Sequence, residues 1–312
     1  MEKRLIVICG PTASGKTKLG IELCKHLGGE VISADSMQVY RGMDIGTAKP
    51  SLEEMEGIPH HMVSVAEPCE NYSVARYVKE ATDCVEDVFA RGEQPVVVGG
   101  TGLYIDALCK GQEFSGFSED SGLRAQLQEE AERLGIAILL ERLSKVDPES
   151  AARLHPNDEK RIIRALEVYL ETGKTISQHN LESKQKKPRY ARCLIGLTFD
   201  NRHDLRTRID QRVDDMVKAG LLREVQTLLD KGVPREATAL QAIGYKEILR
   251  ALDEGQAMEL AMEEIKLRSR QYAKRQLTWF RREQDINWIS WGKTPDFSSA
   301  LQNSISFLQR RG

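Results

Sequence analysis

No stretch of this sequence approaches the roughly 18 consecutive apolar residues that a membrane span requires. The opening MEKRLIVICGP carries an apolar run too short for a secretory signal, and it leads straight into a glycine motif. A cytoplasmic protein is therefore expected. The six cysteines (Cys9, Cys24, Cys69, Cys84, Cys109 and Cys193) include no C-x-x-C pair and have no histidine at zinc-site spacing. They read as buried, reduced thiols. There is no internal repeat and no low-complexity tract. Charge of one sign is also missing: the formal net charge is −2. Any contact with a polyanion must then come from local patches. The charged surface gives no reason to expect more than a monomer.

What is present is an ordinary globular chain of 312 residues, 40% hydrophobic and 29% charged, long enough for two domains or one domain with an insertion. Short apolar runs at residues 5–9, 31–33 and 95–98 alternate with helical patterns at 16–26 and 74–90. That alternation predicts a parallel sheet with helices on both faces. After about Gly111 the pattern becomes helical and charged, with breaks at Gly135 and at Asp147-Pro148. A β-like run at 193–199 returns the chain to the sheet. The expected organisation is a catalytic core from 1–114 and 196–312, the second part mostly helical, interrupted by a helical insertion at 115–195. Helices are expected at 202–219, 221–231 and 258–282.

GPTASGKT, at residues 10–17, satisfies G-x-x-x-x-G-K-[ST] completely, between a buried strand and a helix. Gly10, Pro11, Thr12, Ala13, Ser14, Gly15, Lys16 and Thr17 would curl the backbone so that successive amides face phosphate oxygens. The helix N-terminus adds its dipole, Lys16 a full charge, and Thr17 a hydroxyl for Mg²⁺. The motif names a diphosphate, not a reaction. A Walker B acid is lacking, because the strand at 95–98 runs into Gly-Gly-Thr. The carboxylate that follows a strand is Asp35, in VISADS, which reads equally as a base facing the phosphate cradle or as a turn residue. The adjacent His60 and His61 point apart on any regular backbone, so hydrogen-bonding or packing roles are expected rather than joint metal ligation. Trp279 and Phe280 read as core and interface rather than as a base-stacking platform. Two basic stretches, Lys184 to Arg192 and the stripe Lys266, Arg270 and Lys274, are candidates for RNA phosphates or for plain solvated faces.

SADSMQVYRGMDIGTAKP at 33–50, with GPTASGKT and GGTGLY at 99–104, resembles the tRNA dimethylallyltransferases. PHH at 59–61, HPND at 155–158, RALEV at 164–168, AIGYKE at 242–247 and RQYAKRQLTWFRR at 270–282 extend the likeness over nearly the whole chain. The resemblance implies an α/β fold: a P-loop NTPase-like core, with its parallel sheet flanked by helices, plus an inserted helical domain that holds the anticodon stem-loop. It implies dimethylallyl diphosphate on the P-loop, and transfer of the dimethylallyl group to N6 of the adenosine beside the anticodon. It makes Asp35 the general base, sets Thr101 to orient the adenine, and puts Lys16 and an arginine, assigned to Arg208 among the neighbours Arg206 and Arg212, at the diphosphate. The tRNA contacts it implies are Asp35, Ser36, Met37, Gln38, Thr101, Glu159, Lys160, Arg161, Ile162, Ile163, Gln241 and Gly244. The residues alone leave open a small-molecule kinase, a prenyltransferase acting on free AMP or ADP, and a non-catalytic RNA-binding module.

Overall fold

The computed structural model describes residues 3–112, 122–185 (backbone alone for 183–185) and 187–310. The chain forms two compact units, Met1–Gly111 with Tyr190–Gly312, and Gln112–Arg189. In chain order the first unit begins with β1 (Arg4–Cys9), α1 (Lys16–Leu27), β2 (Gly29–Ala34), α2 (Leu52–Met55), β3 (His60–His61), α3 (Val74–Ala90), β4 (Gln94–Gly99) and α4 (Gly102–Lys110). The second unit holds α5 (Leu123–Leu134), α6 (Ile136–Val146), α7 (Pro148–Ala151), α8 (Glu159–Thr172) and α9 (Ile176–Gln185). The chain re-enters the first unit with β5 (Ala191–Phe199), α10 (Arg202–Lys218), α11 (Leu221–Asp230), α12 (Tyr245–Glu254), α13 (Met258–Phe280), β6 (Ile286–Trp291) and α14 (Phe297–Arg310).

The strands form one parallel sheet in the order β3-β2-β4-β1-β5-β6. A sheet covered on both faces needs strands with near-continuous apolar runs, and LIVIC, PVVVG and CLIGL supply them. Alternate residues divide between the faces: Ile6, Ile8, Val96, Val98, Cys193 and Ile195 pack with Leu19 and Leu23 of α1 and Ala300 of α14. Gly20 lets α1 approach closely, since a Cβ there would lie 2.7 Å from Val98 Cγ2.

The four strands expected from sequence are all present, and two more join them. β3 has only two residues, too few to show a pattern. β6, INWISW, is an edge strand of which Ile289 and Trp291 are buried, inside a stretch otherwise rich in helix. The second unit has its own core of Leu127, Ala131, Leu139, Leu143, Ile162, Ile163 and Leu166. Its helices break where the sequence suggests: α5 ends at Gly135, and Pro148 opens α7 under the Asp147 cap. The expected boundary at 114 lies outside the described residues. The second unit ends at Arg189 rather than 195, because Ala191 and Arg192 already pair with Arg4 and Leu5 of β1. All six cysteines are free. Cys9, Cys24, Cys109 and Cys193 are buried as expected, but Cys69 is exposed and Cys84 half-buried.

Candidate active site

The carboxyl ends of β1, β2 and β4 carry three loops that meet, the place where open α/β sheets bind ligands. The loop after β1 is built for close approach. Gly10 has φ +147°, and a Cβ there would sit 2.6 Å from the Leu197 carbonyl oxygen. Gly15, with φ +86°, starts α1, whose N-terminus has no side-chain cap. Its leading amides are therefore not taken up by a capping side chain, which suits an anion. Ser14 Oγ is buried and has no hydrogen-bond partner. Lys16 Nζ donates to the Pro11 carbonyl at 2.6 Å. Burial and the neighbouring Arg212 push the Lys16 ammonium down to about 8, while Asp35 opposes the shift. A bound anion would restore its proton affinity.

Asp35 ends β2 in a turn: its Oδ1 accepts from the Met37 amide at 2.9 Å and the Gln38 amide at 3.4 Å. Thr101, at the start of α4, accepts from the Ser36 amide at 3.1 Å and so joins the β4 loop to the β2 loop. Burial first and then the Asp35 charge push the phenol of Tyr272, on α13, up to about 12. Gln276, one helical turn further on, joins the remaining pair of loops. Its Oε1 accepts from the Thr12 amide at 2.8 Å, and its Nε2 donates to the Gly100 carbonyl at 3.0 Å.

These loops border a cavity of about 300 Å³ whose lining includes Thr12, Asp35, Ser36, Met37, Arg212, Gln241, Gly244 and Tyr272. Seven of these eight are named from sequence, Arg212 as a neighbour of the assigned Arg208; Tyr272 is not. Gln38 turns into the wall instead: its side chain accepts from Ser33 Oγ and donates to the carbonyls of Thr47 and Ala48. Arg208 is exposed, with Nε on the Ala13 carbonyl at 3.2 Å and its guanidinium over Phe199. Arg206 is exposed too, whereas Arg212 lines the cavity. Burial pushes Arg212 below its ordinary value while Asp35 pulls it back up. Four residues apart on α10, Arg208 and Arg212 share a helix face.

In the second unit Glu159, Lys160 and Arg161 are exposed at the start of α8. Ile162 and Ile163 are 0% and 3% exposed in that unit's core. Their side chains hold the helix down. The stripe on α13 also reads differently. Lys266 pairs with Asp214, and Arg270 with Asp210, so both brace α13 against α10. Arg192 is paired with Glu283 and Asp285. Lys186 and the side chain of Lys184 lie outside the described residues. His60 bonds the Ile58 carbonyl and His61 bonds Glu30, and no cluster of three or more His, Cys, Asp or Glu residues suited to a metal occurs among the described residues.

Beyond the reach of any motif, Trp291 donates its indole N–H to the Ser14 carbonyl at 2.8 Å, and Phe297 packs against Gly15. The C-terminal strand and helix therefore back the phosphate loop from behind.

The family model described as IPP transferase matches residues 38–283, and one described as isopentenyl transferase matches residues 3–65. A tRNA dimethylallyltransferase of Geobacillus thermodenitrificans is 47% identical over 308 residues, covering 99% of this chain and 97% of that protein. That of Carboxydothermus hydrogenoformans is 48% identical over 293 residues, 94% of each. Among solved structures, the full-length tRNA isopentenylpyrophosphate transferase of Bacillus halodurans superposes with a TM-score of 0.74 at 42% identity, covering 99% of this chain and 96% of that one. A eukaryotic dimethylallyltransferase acting on tRNA gives 0.83 at 32% identity, with 99% and 80% covered. With the family model matching well over half its length, the chain belongs to the IPP transferase family, whose relatives here are the tRNA dimethylallyltransferases.

Proposed function

We propose that this protein transfers the dimethylallyl group of dimethylallyl diphosphate to the exocyclic N6 of the adenosine beside the anticodon of tRNA, releasing diphosphate. The observation that carries the reading is one cavity bordered both by Thr12 of a phosphate-binding loop and by the carboxylate of Asp35. A leaving group and a proton acceptor on the same small space suit a displacement at carbon by a weak nitrogen nucleophile.

The allylic C–O bond breaks as the C–N bond forms, and negative charge grows on the diphosphate. The amides of residues 13–17 and the Lys16 ammonium receive that charge, with Arg212 facing the cavity and Arg208 on the Ala13 carbonyl. The electron-poor allylic carbon must be kept from water, which bound tRNA closing over the cavity would do. The adenine amine becomes acidic only as its bond to carbon forms, so a carboxylate suffices to take the proton. Asp35 Oδ1 is committed to two backbone amides, which leaves its other oxygen to take the proton. Thr101, fixed by Ser36, orients the adenine. To reach this space the nucleotide must leave the anticodon-loop stack. Thr17 would hold a Mg²⁺ ion through its hydroxyl, most other ligands coming from phosphate and water, and the ion would neutralise charge on the leaving group. The exposed Lys160 and Arg161 serve the tRNA backbone. Among the described residues no helix is long and apolar enough to cross a membrane, and we take the enzyme to be a cytoplasmic monomer.

The test is acceptor choice. Labelled dimethylallyl diphosphate is offered with Mg²⁺ to unmodified tRNA, to AMP, and, in parallel, ATP to small acceptors. Label on adenosine of tRNA supports the reading. Label on AMP alone, or ATP consumption without prenyl transfer, overturns it.

A further inference from the structure

Part of the cavity wall is a stretch of backbone outside any helix or strand. Gly46 and Thr47 line the cavity, in a segment between Asp44 and Ala48 that belongs to no helix or strand. Such a segment carries several adjacent N–H groups that need acceptors. One side chain supplies them. Glu224, in the first turn of α11, accepts from the amides of Asp44 and Ile45 at 2.8 Å each through Oε2, and from the amide of Gly46 at 3.0 Å through Oε1. The same Oε1 takes the Tyr245 hydroxyl at 2.6 Å.

Four donors on one carboxylate make a rigid staple, because charge-assisted hydrogen bonds are short and strong. Tyr245 is fully buried; burial and the Glu224 charge hold its phenol well above its ordinary value, so it stays a donor. Its ring also fixes the identity of residue 46: a Cβ on Gly46 would lie 2.5 Å from the ring. The staple connects inward as well. The carbonyls of Thr47 and Ala48 hold the Gln38 amide group, and the Gln38 backbone amide donates to Asp35. A continuous hydrogen-bonded path therefore runs from Glu224 through the 44–48 segment to the carboxylate that faces the acceptor.

We propose that Glu224 is a positioning residue for the acceptor nucleoside: with Tyr245 it fixes the 44–47 wall and, through Gln38, the aim of Asp35, without touching substrate itself. The proposal rests on the tRNA-prenylation reading above. It predicts a selective defect. No bond in the path reaches residues 10–17, so dimethylallyl diphosphate should bind as before while the tRNA is held poorly and reacts slowly.

The experiment is steady-state kinetics of transfer to tRNA for the wild type, Glu224→Ala, Glu224→Gln and Tyr245→Phe, with the KM of each substrate measured separately. Glu224→Ala is expected to raise KM for tRNA at least about tenfold and to lower kcat, with KM for dimethylallyl diphosphate within twofold. Glu224→Gln keeps one acceptor oxygen and should recover part of both losses. Tyr245→Phe removes one donor and should show the mildest version of the same pattern. If Glu224→Ala fails to fold, the Gln and Phe variants decide. Equal losses for both substrates in the folded variants, or no change in KM for tRNA and kcat, would overturn the proposal. Absence of transfer to tRNA by the wild type would instead overturn the functional reading.

Discussion

Replacing Lys16 with methionine separates the two consequences of placing an ammonium group in a cradle built for an anion. In the free protein the cation is poorly housed. Burial and Arg212 lower its pKa from 10.5 to about 8, which corresponds to about 3 kcal/mol against the charged form at neutral pH. Its hydrogen bond to the Pro11 carbonyl returns about 1–2 kcal/mol of that. Lys16→Met should therefore stabilise the free protein by about 1–2 kcal/mol at pH 7, a rise of a few degrees in Tm. The sign of the pH dependence follows from the same shift. The folded state binds fewer protons than the unfolded state between about 8 and 10.5, so the wild type gains stability as pH rises through that window and its deficit against Lys16→Met closes. Binding should move the other way. Inorganic pyrophosphate or dimethylallyl diphosphate should raise the Tm of the wild type and raise that of Lys16→Met much less. In kinetics, kcat/KM for dimethylallyl diphosphate should decline tenfold per pH unit above about 8. Thermal unfolding at pH 7 and pH 9.5, with and without pyrophosphate, reads all of this except the kinetic limb. A free Lys16→Met protein less stable than wild type by 1 kcal/mol or more, with a difference that ignores pH, would refute the reasoning.

Three further outcomes follow from the same geometry. Gln276→Leu strands the Thr12 amide and the Gly100 carbonyl, and should lower stability by about 2–4 kcal/mol, read as a shift in urea midpoint at unchanged slope. Trp291→Phe keeps the bulk behind the phosphate loop but removes the N–H to Ser14, so KM for dimethylallyl diphosphate should rise several-fold while KM for tRNA holds steady. The double charge removal at Lys160 and Arg161 should weaken tRNA binding and make its dependence on log salt shallower by about two, measured by filter binding across a salt series.

How far the sequence reaches depends on whether an element announces itself locally. The P-loop does, because its glycines, lysine and flanking strand and helix are contiguous. The central strands do so as well, since burial on both faces demands unbroken apolar runs. β3 is too short for any pattern, and in β6 the alternation of INWISW is hidden between helices. Asp35 is visible, but its turn geometry is not, since the donors Met37 and Gln38 could equally have capped a helix. Choosing among Arg206, Arg208 and Arg212 needs the rotation of α10 relative to the sheet, which periodicity fixes only to within a face. Gln276, Trp291 and Glu224 act on loops 264, 277 and 180 positions away along the chain. No local pattern marks such residues; they emerge only when the sheet order brings the loops together. The basic stripe on α13 misleads for a related reason: Asp210 and Asp214, which neutralise two of its members, lie on a different helix.

The central claim is that Asp35 removes the proton from an adenine amine during prenyl transfer to tRNA. Asp35→Asn preserves the oxygen that accepts from Met37 and Gln38, so the turn and the cavity should persist while the base is lost. The measurement is the single-turnover rate of label transfer from dimethylallyl diphosphate to pre-bound tRNA, with tRNA affinity checked alongside. A rate reduced by about 10²- to 10⁴-fold with affinity within a few-fold of wild type is the predicted result. A rate within tenfold of wild type would contradict the account.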